Sequence, residues 1–71
     1  SDDALYEILK TCRGKLAVAR KVAPYMLLPE RILRSMASSR PTTVAELCEM
    51  GVPQNVANDI GSALIDEISR A

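Results

Sequence analysis

Aliphatic residues recur at steps of three and four along almost the whole of this 71-residue chain, which has no phenylalanine, no tryptophan and only two tyrosines. That period constrains the fold most strongly. Spacing near 3.6 marks a helical stripe, and helices satisfy their own backbone, so a chain this short closes a core without a sheet. Leu5, Ile8, Leu9, Cys12, Leu16, Ala19 and Ala23 make the first stripe, on a helix expected from about Asp3 to Val22. Asp2 or Asp3 caps its start, where acids oppose the helix dipole favourably. Ala23-Pro24-Tyr25 ends it, because a proline disfavours helical geometry in the residue before it. Gly14 lies on the flank of the stripe, and the period resumes in phase at Leu16.

Met26-Leu27-Leu28 is a short apolar connector expected to tuck under the domain. Pro29 suits the first position of a second helix, where its missing N–H is no loss. There Ile32, Leu33, Met36 and Ala37 face inward, while Arg31, Arg34, Ser35 and Ser38 face out, and Arg40-Pro41 stops the helix. Thr43 and Glu46 have capping-box spacing and start a short helix over Val44–Glu49 that buries Val44, Leu47 and Cys48. Gly51 supplies its stop. Pro53 opens the last helix, with Val56, Ala57, Ile60, Leu64 and Ile68 on one face and Gly61 on or beside it as a close-packing residue. The expectation is a single all-α domain over residues 1–71, a compact bundle of about four to five short helices, monomeric, whose core is aliphatic.

Residue types exclude most chemistry. Without histidine, the commonest general base and the usual catalytic triads are missing. The chain has no GxxxxGK[ST], GxGxxG or GxSxG motif. Cys12 and Cys48 stand thirty-six residues apart with no CxxC, so they read as two reduced, packed thiols of an intracellular protein rather than a disulfide or zinc site. No catalytic residue, cofactor or metal is expected. No apolar run approaches the roughly eighteen residues that a membrane span needs. The opening Ser1-Asp2-Asp3 reads as a cut in a linker ahead of a helix, from a larger protein.

The formal net charge of zero conceals a split. Residues 1–40 carry eight basic and four acidic side chains, or +4, and residues 41–71 carry one basic and five acidic, or −4. Partners respond to local fields, which reach about 8–10 Å at physiological salt.

Five stretches in order resemble the helicase-and-RNase-D C-terminal (HRDC) domain across essentially the whole chain. They are Leu9 through Arg13 to Leu16-Ala17; Pro24-Tyr25; Ile32-Leu33 with Met36-Ala37; Arg40-Pro41-Thr42-Thr43 leading to Glu46-Leu47; and Gly51-Val52 followed by Gly61 and Leu64 to Ile68. The resemblance implies an accessory bundle of about five helices from a RecQ-type DNA helicase or an RNase D-like nuclease, a setting of DNA repair and recombination. Such a module does no chemistry itself; it grips nucleic acid or docks proteins. The aromatic of the Pro-Tyr turn and nearby basic residues, here Tyr25 with Arg20 and Lys21, are the implied contacts to single strands. The chain departs from the pattern in having Leu28-Pro29 where relatives commonly have Ser-Asp. It also has Val56 and Ile60 where relatives often place a Lys and an aromatic, which takes a basic side chain from the last helix.

On a helical wheel Tyr6, Lys10, Arg13, Arg20 and Lys21 share one strip, which Arg31 and Arg34 of the second helix supplement. Cations for phosphates and a ring for a base are what weak, sequence-independent binding of single-stranded or junction DNA requires. Three or four neutralised phosphates correspond to a salt slope of about −2 to −3. The alternatives are a merely solvated cationic face, with Tyr25 lying over the core, and a protein-docking module, which the neutral total and the acidic second half favour. A helix–hairpin–helix clamp at Gly51-Val52-Pro53 is disfavoured, since proline has no N–H to donate and Glu46 and Glu49 repel phosphate.

Overall fold

Both ends of the first and fourth helices and the start of the second are traceable to particular residues in the computed structural model, which describes residues 1–71. There are five helices and no strand: α1 (Asp2–Arg20), α2 (Pro24–Leu27), α3 (Glu30–Ser39), α4 (Val44–Glu49) and α5 (Gln54–Arg70). The all-α expectation holds.

Ser1, rather than an aspartate, caps α1: its hydroxyl accepts from the Ala4 N–H at 3.3 Å, leaving Asp2 and Asp3 in the first turn against the dipole. The helix stops two residues before the expected Val22. Lys21 turns left-handed (φ 57°, ψ 42°), and two backbone bonds close the end, Val22 N–H to Ala17 O at 3.1 Å and Lys21 N–H to Val18 O at 3.2 Å. This is the Schellman arrangement. α4 ends the same way, with Gly51 (φ 106°) at the equivalent position and bonds from Val52 to Leu47 and from Gly51 to Cys48. Glycine takes that conformation without strain; a side chain such as that of Lys21 costs roughly 1–2 kcal/mol there.

α2 is a single turn set by Pro24 at its start. α3 has no side-chain cap, as Leu28-Pro29 implies. α4 begins as its spacing dictates, the Thr43 hydroxyl accepting from Glu46 N–H at 3.2 Å. The Glu46 carboxylate accepts in return from the hydroxyls of Thr42 (2.9 Å) and Thr43 (3.2 Å), which holds it below the usual carboxylate range.

α1 packs against α2, α3 and α5, and α4 packs against α5. Leu5, Leu9, Leu28, Leu33, Met36, Leu47, Ile60 and Leu64 are fully buried at the centre. Only Leu28 of the connector goes fully inside; Met26 stays 69% exposed, contrary to expectation. The buried arc of α1 runs through Leu5, Tyr6, Leu9, Arg13 and Ala17. At 100° per residue this lies roughly a fifth of a turn from the expected stripe. Ile8 and Ala19 are consequently exposed, and Leu16 and Cys12 half-buried. Cys12 and Cys48 are free thiols, and burial pushes the Cys12 thiol up.

Gly61 is buried inside an uninterrupted α5, as expected. A Cβ there would lie 3.1 Å from Leu47 Cδ1 and 3.3 Å from Val44 Cγ2, so the missing side chain is what lets α4 approach α5. No helix is long and apolar enough to cross a membrane.

Candidate nucleic-acid interface

The eight basic and aromatic residues singled out from the sequence do not form one strip. α3 returns antiparallel to α1, because Glu30 at its start bonds Arg13 while Arg34, one turn later, reaches Asp3 at 3.7 Å. Asp3 and Lys21 are about 27 Å apart along α1 at 1.5 Å per residue. The candidates therefore divide between a seam in the α1–α3 packing and a corner where α1 meets α2.

The seam holds Arg13, Arg34 and Lys10 around Tyr6. Arg13 follows Leu5 and Leu9 at steps of four, which places it at the centre of the buried arc, 4% exposed. A guanidinium tolerates that position only with its hydrogen bonds made. Nη1 donates to Leu28 O at 2.8 Å and Nη2 to Glu30 Oε1 at 2.8 Å, while Nε alone has no partner. The Tyr6 hydroxyl donates to the other oxygen of Glu30. That bond raises the Tyr6 pKa above its ordinary value, and the Tyr6 and Arg13 hydrogen bonds together hold Glu30 below its own. Arg34 lies over the Tyr6 ring, 3.8 Å from its centre, and the Lys10 ammonium is 6.0 Å from it. The exposed-strip reading is thus corrected for Tyr6 and Arg13. Both face inward because they pair with Glu30 and a backbone carbonyl, and Arg13 is closed to a phosphate. Arg34 stays exposed but covers Tyr6. Lys10 and Arg31 are exposed and have no ion-pair partner.

The corner differs. Tyr25 is 69% exposed on α2, so the reading that lays it over the core does not hold. Lys21 is exposed and unpaired at the left-handed end of α1. Of the five large apolar side chains exposed anywhere in the molecule, Val18, Val22, Tyr25 and Met26 lie within residues 18–26. Arg20 is present but engaged: Nε donates to Asp59 Oδ2 at 2.8 Å, Nη2 to Asp59 Oδ1 at 2.7 Å and Nη1 to Leu16 O at 3.1 Å. This pairing keeps the Asp59 carboxyl below its usual range. It also joins the basic half of the chain to the acidic half.

Sequence reasoning missed Asp59 and Glu30, because their partners lie thirty-nine and seventeen residues away. It also missed Val18 and Val22, which it assigned to neither core nor surface, and Met26, which it placed in a buried connector. No group of three or more potential metal ligands occurs.

Three comparisons bear on identity. The family model described as HRDC domain matches residues 2–68, nearly the whole chain. Neither the curated proteins nor the solved structures gave a match. With a five-helix bundle over those residues, the chain belongs to the HRDC domain family, whose members are non-catalytic accessory domains of helicases and RNase D.

Proposed function

We propose that this HRDC domain is a weak, sequence-independent grip for single-stranded or junction DNA, serving a RecQ-type DNA helicase or RNase D-like nuclease inside the cell. The carrying observation is the exposed ring of Tyr25 four residues from the unpaired Lys21. A ring free on the surface offers a face on which a base stacks, and an unpaired cation beside it takes the adjoining phosphate. Arg31 extends the cationic edge, as does Lys10 further along α1. With Arg13 buried, about two to three phosphates are within reach, which lowers the expected salt slope to between about −1.4 and −2.1 for a single strand.

A second reading has support from Val18, 78% exposed, and Met26 on the same stretch. Apolar side chains with a tyrosine and a cation also suit protein docking. Amide chemical-shift mapping with a single-stranded oligonucleotide separates the two. Nucleic-acid gripping predicts shifts concentrated over residues 18–31 and little change at α4. An unchanged spectrum from the folded domain rejects the proposal and favours docking.

A further inference from the structure

We infer that Asp59 is a latch on Arg20, withholding from a bound strand a cation that the corner would otherwise present. The inference rests on the nucleic-acid reading above and adds how that site is tuned. Arg20 ends α1 and precedes Lys21, so its position in the sequence is that of a phosphate contact. In the fold every nitrogen of its guanidinium is occupied, two by the Asp59 carboxylate and one by Leu16 O. A carboxylate and a phosphate present the same paired oxygens to the planar guanidinium fork. A phosphate that displaces Asp59 therefore remakes the two hydrogen bonds it breaks.

The pair is placed for such an exchange. The side chains of Arg20 and Asp59 are 31% and 51% exposed, so the released carboxylate is rehydrated where it stands. Arg13 and Glu30 make a similar pair, but there the arginine side chain is 5% exposed and also holds Leu28 O, so no phosphate enters. Salt screens an exposed pair strongly and a buried one little, which makes the Arg20 bridge the labile one. Asp59 thus sets affinity lower than the number of cations at the corner allows. It acts as a positioning residue, through Arg20, without itself touching the strand.

The test is titration of a labelled single-stranded oligonucleotide over a salt series with wild type, Asp59→Asn, Asp59→Ala, Arg20→Ala and Arg20→Ala/Asp59→Ala, each shown folded by circular dichroism. Asp66→Asn removes the same charge from an exposed position on the same helix that makes no ion pair. The latch predicts that Asp59→Ala binds about three- to tenfold tighter at low salt, with a slope steeper by about 0.7, one more phosphate. Asp59→Asn, which retains one acceptor for Arg20, falls between Asp59→Ala and wild type. Arg20→Ala changes wild type less than about twofold but abolishes the gain when Asp59 is also Ala, and Asp66→Asn leaves the slope unchanged. If wild type binds through Tyr25 and Asp59→Ala neither tightens nor steepens binding, the latch is wrong and the nucleic-acid reading stands. Equal gains from Asp59→Ala and Asp66→Asn also overturn it, since they reflect net charge alone. If no variant binds, both fall.

Discussion

Tyr6 and Tyr25 mark two regions built from the same residue types with opposite consequences. Around Tyr6 the cations face inward or onto the ring: Arg13 bonds Leu28 O and Glu30, and Arg34 lies on the aromatic face. Around Tyr25 the ring is bare, Lys21 is unpaired, and Arg20 is held by an acid at the surface. The first region joins α1 to α3 and belongs to stability. The second lies at the end of α1 on a one-turn helix and is left free to bind. A basic residue beside an aromatic therefore signals neither role until the burial of both is known.

Arg13→Ala breaks this contrast most forcefully. It strands the buried Leu28 carbonyl and removes packing from the centre of α1, and unfolding in denaturant should show a loss of about 2–4 kcal/mol. The same change at Lys21 should leave stability nearly unaltered. Equal losses would mean that the corner is structural as well.

Tyr25→Ala reverses the pattern. Stability should move by no more than about 0.5 kcal/mol. Single-strand affinity should fall by about 1–3 kcal/mol as stacking is lost. Tyr6→Phe, which deletes only the hydroxyl bonded to Glu30, should lower stability and leave binding as it is.

How much of this was legible in the sequence varies with the range of the interactions. The four longer helices, the Thr43 cap, the Gly51 stop and the inward face of α3 follow from local spacing, and the structure has them; the one-turn α2 was read instead as a helix stop and connector. The rotation of α1 was hidden because periodicity counts Tyr6 and Arg13 as surface residues. Each is buried through a partner on a segment far along the chain, Glu30 or Leu28 O, and no local rule predicts such a partner. The end of α1 at Lys21 was hidden for the opposite reason: the left-handed position usually signals itself with a glycine, and here a lysine accepts the strain. The candidate list was drawn up by residue type and was blind to which cations the fold engages.

That strain makes a finer separation possible. Lys21→Gly should stabilise the domain by about 0.5–1 kcal/mol, less than the full left-handed penalty because glycine also loosens the unfolded chain. It should weaken strand binding at the same time and flatten the salt slope by about 0.7. Stability and binding moving in opposite directions would sharpen the contrast between seam and corner; moving together would blur it.

Acid gives the smallest expected effect. Glu30 has its pKa lowered by Tyr6 and Arg13, so the stability it contributes is present above its ordinary value of 4.5 and lost as pH falls through the lower folded value. Tyr6 works with the opposite sign, its raised pKa contributing stability below 10.0 that is lost in stronger alkali. In Glu30→Gln the acid loss should be reduced and the alkaline loss due to Tyr6 should largely disappear, as read from denaturation midpoints across pH. An unchanged pH profile would show that the seam carries little electrostatic coupling.

The central claim is that a strand is held at the corner by Tyr25 and Lys21, with Arg31 and Lys10 as flanking cations, and not by Tyr6, Arg13 and Arg34 of the seam. It is tested most directly by fluorescence anisotropy of a labelled single-stranded oligonucleotide with wild type and Tyr25→Ala across a salt series. The expected result is weak binding with a slope between about −1.4 and −2.1, and for Tyr25→Ala a loss of about 1–3 kcal/mol at an almost unchanged slope. No binding by the folded domain at about 50 mM salt, where phosphate contacts are strong, or Tyr25→Ala binding as tightly as wild type, would contradict it.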